Sequence, residues 1–466
     1  MSVSSSPVAA KPVPWGAELR ALVALSGPLA LTNLAQIAMG TTDVMMMGVL
    51  GADTLAAGAL GVSLYFVALI FGIGLLNAAS PLMARELGGA SPAKPVVRAI
   101  VWQGFWSAAC LAIPFWLVLW WSEPLLVAMG QEPALAALAG TYVRVLQWSL
   151  LPSWCYLVLR SFVSAQERPG WVLGIGLAAV PLNALANWCL LLGHCGCRPL
   201  GVAGSGLATL LSVGAMFAAL ALVVSVAAPF RVYRLFSGSW WPVWPGLRAF
   251  WRLGLPMAAT LSFEVTLFNA AVFLMGLLGA ASLAAHSIAI QLASLTFMVP
   301  LGIGQAVTVR VGKAFGARDR EAIRRAGWSG LGLAVGFMGT MSLAMILAPR
   351  LLISAFLDAS DPGNAEIVRL ATVFLLFAAL FQIADGAQAV GSGMLRGLQD
   401  ARMPMLFALT GYWGIGFPLG VCLAFPLGLG GRGIWIGLAT GLGVVAFLML
   451  RRWTRRDALG LGPARS

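Results

Sequence analysis

Long apolar runs follow one another along almost the whole chain, each about as long as a helix needs to cross a bilayer, and each closed by a charge, a proline or a glycine. They fall at about 21–50, 54–84, 98–121, 134–162, 171–193 and 200–227, then at 249–278, 282–311, 325–349, 366–395, 403–427 and 431–451. The runs are continuously apolar and too long for the alternating strands of a barrel, and lipid offers no hydrogen bonds to an open backbone. They predict an all-α membrane protein with twelve transmembrane helices.

The two halves of this pattern repeat. MGVLGADTLAA at 47–57 and MGLLGAASLAA at 275–285 agree at eight of eleven positions, and the same offset of 228 aligns Gly74 with Gly302 and Gly88 with Gly316. GLAT recurs at Gly206–Thr209 and Gly437–Thr440, and Leu159-Arg160 before Pro169 is echoed by Leu395-Arg396 before Pro404. Six spans per half is an even number, so the halves share one orientation. They form two six-helix bundles related by a pseudo-two-fold axis along the membrane normal, with substrate expected between them. The expected organisation is a tail at 1–20, an N-lobe at 21–227, a linker at 228–248, a C-lobe at 249–452 and a second tail at 453–466.

Composition agrees with lipid as the solvent: of 466 residues 60% are hydrophobic and 10% charged, against roughly 25% charged in soluble domains. The net charge of +13 raises the question of nucleic acid, and placement answers it. With the N-terminus inside, 24 of the 29 Lys and Arg residues fall in inside segments, which orients the chain with both tails cytoplasmic and leaves nucleic acid unnecessary as a partner. Arg198, Arg350, Arg369 and Arg432 lie outside, and Arg144 is expected to snorkel at the outer end of the fourth span. Residues 1–20 hold Pro7, Pro12 and Pro14 and no apolar core before a cleavage site, so they are read as a tail rather than a signal peptide. Three lysines against 26 arginines, with abundant Ala and Gly, fit a GC-rich bacterial source and hence the inner membrane.

Three of the sixteen acidic residues fall within spans: Asp43, Glu264 and Asp385. An Asp at mid-helix costs about 2.5–3.5 kcal/mol on insertion scales, so such an acid is a functional candidate by default. No nearby basic residue within the spans is expected to neutralise all three. Buried carboxyls of this kind suit proton exchange, and the same oxygens suit sodium, so the coupling ion stays open. Asn33, Gln36 and Asp43 share a face of the first span, and Asn183 and Asn187 lie four apart in the fifth. In the tenth, Gln382, Asp385 and Gln388 share a face that can join Glu264, while His286 and Gln291 of the eighth are secondary candidates.

His194, Cys195 and Cys197 spell a short Cys/His cluster, but zinc needs about four ligands and no second cluster exists, so no resident metal is expected. No phosphate loop of the GxxxxGK[ST] type is present, so no ATPase is expected in the chain and no ATPase subunit is evident as a partner. Energy is expected from an ion gradient, with no cofactor.

MGTTDVMMMG (39–48), LSFEVTLFNAA (261–271), AAHSIAIQLASLTFMVPLGIGQAVTVRVG (284–312) and QIADGAQAVGSGMLRGLQD (382–400) resemble the multidrug and toxic compound extrusion family, in its NorM-like branch, across nearly the whole chain. The resemblance implies a V of two bundles that exports amphipathic organic cations in exchange for protons or sodium. It implies an N-lobe site at Asp43, Asn183 and Asn187 and a C-lobe cation site at Glu264 and Asp385. Sodium-dependent relatives place a Tyr one turn before the tenth-span acid, where this chain has Phe381, and the missing oxygen weakens the case for sodium. The expected protein is thus a multi-pass secondary antiporter and not an enzyme. Its partners are the lipid bilayer and cationic or amphipathic drugs, and a monomer is expected. The alternative is a lipid-linked precursor or polysaccharide flippase of the same superfamily, which would carry more cationic residues in its cavity.

Overall fold

The computed structural model describes residues 14–89, 93–196, 198–238, 240–358 and 361–462. Residues 1–13 of the first tail, 463–466 of the second, and Cys197 lie outside the described residues. Twelve helices are long and apolar enough to cross a membrane. They are α1 (Trp15–Val49), α2 (Ala52–Gly88), α3 (Lys94–Trp120), α4 (Pro133–Ala165), α5 (Gly170–Leu190), α6 (Val202–Val226), α7 (Trp244–Leu277), α8 (Ala280–Gly316), α9 (Arg320–Leu347), α10 (Pro362–Gly397), α11 (Arg402–Ala424) and α12 (Gly431–Thr454).

Helix boundaries follow local chemistry. Proline sits in the first turn of α3, α4, α7 and α10, where its fixed φ costs no backbone hydrogen bond. Asp319 caps α9 by accepting from the Ala322 amide at 2.9 Å. The duplication is also written in the backbone. Gly51 and Gly279 precede α2 and α8 at φ 120° and 110°, and Gly201 and Gly430 precede α6 and α12 at φ 57° and 56°. These are left-handed conformations that glycine adopts without a Cβ clash.

A third matched pair corrects the sequence alignment. Glu167 and Gln399 close α4 and α10 in the left-handed region, at φ 58° and 61°. Each donates its amide three residues back, and the next residue donates five back. Superposing these turns sets Arg396 against Ser164 and Arg160 against Ser392. Arg160 and Arg396 therefore stand one helical turn apart rather than at equivalent places, because seven residues separate Arg160 from its turn and three separate Arg396.

Buried residues form two main cores, and the halves exchange helix ends between them. Trp154, Phe162, Tyr142 and Tyr156 centre the N-terminal core, which also takes Phe250, Leu253, Met257 and Ala258 from α7. Trp435, Phe374, Phe381 and Met449 centre the other, which takes Leu22, Leu25 and Leu29 from α1. The crossing points are the glycines that the repeat aligned. A Cβ on Gly74 would stand 2.4 Å from Ala258 Cα and one on Gly302 would stand 2.8 Å from Ala30 N, so backbones touch across the seam. Gly88 meets the Lys313 carbonyl and Gly316 the Arg85 carbonyl in the same reciprocal way. All four lie in the parts of their helices remote from Gly51 and Gly279. At the other ends Met45, Val49, Phe273 and Leu277 are exposed. The bundles are therefore joined through the parts of α1, α2, α7 and α8 that carry these crossings.

Candidate functional site

In the N-terminal bundle Asp43 is buried at the centre of a hydrogen-bonded cluster from three helices. Asn187 Nδ2 of α5 donates to Asp43 Oδ1 at 2.7 Å, and Thr209 Oγ1 of α6 donates to Asp43 Oδ2 at 2.8 Å. Asn187 Nδ2 also reaches the Asn183 carbonyl at 3.0 Å, four residues back, as the spacing predicted. Asn183 and Asn187 are fully buried. Beneath them Tyr65 and Ser149 share a hydrogen bond at 2.7 Å. Gln36 does not join: it is exposed and outside this hydrogen-bonded cluster. Seven residues from Asp43 place it only near the same face, and α5 and α6 close around the acid itself. Thr209 went unread because a threonine in an apolar span commonly bonds its own helix, and this one also reaches the Ser205 carbonyl at 3.2 Å.

The C-terminal acids are partnered far more thinly. Glu264 of α7 is half-buried and accepts one hydrogen bond, from Gln388 Nε2 at 3.3 Å. Asp385 of α10 is buried, lies within Coulombic range of Glu264, and keeps its Oδ1 without a protein partner. Arg396 and Tyr412 share this electrostatic field. Arg396 donates to Ser392 Oγ, four residues back, at 2.9 Å through Nε. Tyr412 rides on a π-helical stretch, Leu409–Gly416, within α11, a rare geometry frequent at functional sites. The same stretch aims Trp413 Nε1 at the Phe263 carbonyl, beside Glu264, at 3.3 Å. No sequence signal marks the π-helix, since its residues read as ordinary apolar helix.

The surroundings of the acids differ from the sequence expectation at several positions. Gln382 hydrogen-bonds Thr296 and Met345 Sδ on α8 and α9 rather than either acid. Gln388 makes the contact with Glu264, because six residues turn a helix face through about 120°. His286 is fully buried against Trp435 at 5.4 Å, and both ring nitrogens lack protein partners. Gln291 is exposed, and no hydrogen bond joins either residue to the acids. Arg396 supplies the intraspan positive charge near Glu264 that the sequence reading did not foresee. Arg144 is partly exposed and pairs with Glu123 at 2.8 Å.

Between the bundles stands a polar seam. Arg160 of α4 is buried, and its Nη2 donates both to Asn33 Oδ1 of α1 at 2.7 Å and to Gln305 Oε1 of α8 at 2.8 Å. Nearer the helix ends Arg310 binds Glu18, at 2.9 Å through Nε, and Glu167 at 2.9 Å, while Lys313 meets Glu167 at 3.0 Å. Burial opposes ionisation of Glu167, but the Lys313 and Arg310 charges prevail and hold its carboxyl below the usual carboxylate range. All of these pairs except Arg160–Asn33 span the two halves of the chain. Among the described residues no group of three His, Cys, Asp or Glu side chains is placed to hold a metal ion.

Two six-helix bundles with acids buried between apolar walls define a polytopic membrane transporter rather than an enzyme. The sequence profile described as MatE matches residues 28–189 and 256–422, and the chain belongs to that family, the multidrug and toxic compound extrusion transporters. A protein of Mesorhizobium japonicum named "Probable multidrug resistance protein NorM" is 58% identical over 445 residues, 96% of this chain and 95% of its own length. A protein of Burkholderia vietnamiensis named "Multidrug resistance protein NorM" is 43% identical, covering 92% of each chain. Among solved structures, the eukaryotic MATE transporter AtDTX14 superposes with a TM-score of 0.84 at 22% identity, over 96% of this chain and 98% of that one. At that identity the likeness speaks for the two-lobed twelve-helix fold.

Proposed function

We propose that this chain is a secondary active multidrug exporter of the bacterial inner membrane, with both termini cytoplasmic. It takes amphipathic organic cations outward in exchange for protons or sodium. Its N-lobe spans 21–227 and its C-lobe 249–452, joined by a cytoplasmic linker at 228–248. The observation that carries the reading is the Glu264–Asp385 pair: two acids in the C-terminal bundle, with one 3.3 Å hydrogen bond at Glu264 and an unpartnered oxygen on Asp385. Such a pair has open valence for a cation that comes and goes. The multidrug names of relatives at 58% and 43% identity supply the substrate class.

The coupling is mutual exclusion. A cation enters the acids while the cleft is open outside, and drug leaves. The seam at Arg160 and Glu167 then parts, the cation is released inward, and drug reloads. Protons are favoured over sodium by two features. Phe381 packs edge-on against Phe268 and Trp435 at 5.9 and 5.8 Å and offers no ligand oxygen, and Arg396 already places a fixed positive charge near Glu264. The flippase reading draws on buried cations, but Arg160 is engaged by Asn33 and Gln305, and Arg396 by Ser392, so neither offers an open cluster for a polyanionic headgroup. Purified protein in liposomes tests the proposal. Ethidium transport should follow an imposed proton gradient, with sodium alone ineffective. Transport driven by neither ion would overturn it.

A further inference from the structure

We propose that Cys189 and Cys195 form a disulfide that ties the loop after α5 back onto the end of that helix. The proposal rests on the orientation given above, which puts this loop on the oxidising outer side of the membrane, where disulfides persist. Cys189 lies in the last turn of α5 and Cys195 six residues on, yet their sulfurs stand 2.9 Å apart. Closing to the roughly 2 Å of an S–S bond needs a shift of less than about 1 Å.

The loop is built to bring them together. Its reversal uses left-handed backbone at Gly193 (φ 81°), Cys195 (φ 58°) and Gly196 (φ 80°). The Leu200 amide donates to the Leu190 carbonyl at 2.9 Å and closes the base. His194 stacks on Trp188 with ring centroids 4.6 Å apart and planes 12° from parallel, and its Nδ1 lies 3.2 Å from the Trp188 carbonyl. Residues 194 and 195 are thus laid in order against 188 and 189. This gives His194 and Cys195 of the cluster a place in the turn.

The step is a thiol–disulfide exchange with a disulfide-bearing protein oxidant of the outer compartment. Exposed Cys195 attacks first as thiolate and forms a mixed disulfide, releasing one oxidant thiol. Cys189, as thiolate, then displaces the second. Two S–H bonds are lost and one S–S bond forms, while two protons and two electrons reduce the oxidant's disulfide to a dithiol. The bond pins the turn of α5 that starts at Asn187, the residue that donates to Asp43.

Alkylation of intact cells without reductant, followed by tryptic mass spectrometry of the full-length protein, reads the state directly, because trypsin spares Arg168–Pro169 and Arg198–Pro199 and cuts after Arg160 and Arg231, which bracket these cysteines on one peptide. In C197S the peptide should escape alkylation and weigh two hydrogens less, and in C195S every remaining cysteine on it should be alkylated. Alkylation of both Cys189 and Cys195 in C197S would overturn the proposal, as would an oxidised peptide surviving in C195S. A C189S/C197S variant, with Cys195 alone in the loop, tests the orientation separately. Labelling by a membrane-impermeant maleimide in spheroplasts supports it. Labelling only after lysis would put the loop in the cytosol and overturn orientation and disulfide together. With the loop outside, free thiols in C197S would count against the disulfide alone.

Discussion

Asp43 and Asp385 are the same side chain, each buried in a half of a duplicated fold, yet their surroundings differ in kind. Asp43 has both oxygens engaged, by Asn187 and Thr209 at 2.7 and 2.8 Å, in a cluster closed by three helices. Asp385 keeps an oxygen without a partner, and its neighbour Glu264 accepts a single hydrogen bond at 3.3 Å. An acid with both oxygens engaged is costly to disturb, even though Asn183 Nδ2 and Asn187 Oδ1 of its cluster lack partners, whereas a buried acid with an unpartnered oxygen carries a desolvation cost that an arriving cation relieves. On the function proposed above, the comparison is the ground for placing ion exchange at the C-lobe pair and shaping of the cleft at the N-lobe cluster, a division of roles we propose.

The largest effect should follow from neutralising the under-partnered pair. Glu264→Gln or Asp385→Asn keeps the shape and removes the charge, so gradient-driven ethidium efflux should fall to the level of empty vesicles while the protein remains folded in the membrane. Efflux at the wild-type rate in both variants would reverse the assignment. A smaller loss is expected at Asp43. Thr209→Val removes one hydrogen bond to a charged group, worth about 1.5–3 kcal/mol. Apparent drug affinity should weaken about tenfold or more, with the dependence on the ion gradient unchanged. If Thr209→Val instead uncouples transport from the gradient, the N-lobe is the coupling site.

Much of this contrast was legible before any coordinates. The three acids stand out because charge is rare in apolar spans, and Asn183 and Asn187 share a face because four residues make about one turn. The repeat marked Gly74, Gly302, Gly88 and Gly316, which prove to be the crossing points of the two halves. What stayed hidden depends on rotation and on distant helices. Gln382 and Gln388 differ by a rotation of a third of a turn, which a shared-face argument does not resolve. Arg160 and Arg396 were counted with the cytoplasmic basic residues, because a window of hydropathy does not tell a helix end at the surface from one folded into a seam. Tyr412 acquires its place from a π-helical stretch that leaves no mark in composition.

The seam offers a further way to sharpen the comparison. Arg160→Gln would leave Asn33 Oδ1 and Gln305 Oε1 without their shared guanidinium, so the seam should part more readily. A thiol placed at Ala30, against Gly302, should be labelled several-fold faster than in the wild-type background. Glu167→Gln should act in the same direction but weakly, since a partly exposed ion pair is worth at most about 1 kcal/mol. Its pH dependence has a definite sign. Lys313 and Arg310 depress the Glu167 carboxyl despite its burial, so its contribution is present above the unfolded value of about 4.3 and is lost only as pH falls through the lower folded value. The difference between Glu167→Gln and wild type should therefore be flat across neutral pH and vanish in acid, and a difference that grows between pH 6 and 8 would contradict the ion-pair account.

The smallest expected effect is at Phe381, where sequence and geometry give different forecasts. Resemblance to sodium-dependent relatives treats the position as a missing ligand, so Phe381→Tyr should create sodium coupling. The side chain is buried, however, and its ring meets Phe268 and Trp435 in an apolar wall, one turn from Asp385. A hydroxyl added there reaches aromatic carbon rather than the acid pair, and burying it without a partner costs about 1–3 kcal/mol. Phe381→Tyr should therefore lower thermal stability slightly and leave ion selectivity as it was. If liposomes carrying this variant transport ethidium under a sodium gradient alone, the wall has opened toward Asp385, and the preference for protons reduces to one absent oxygen.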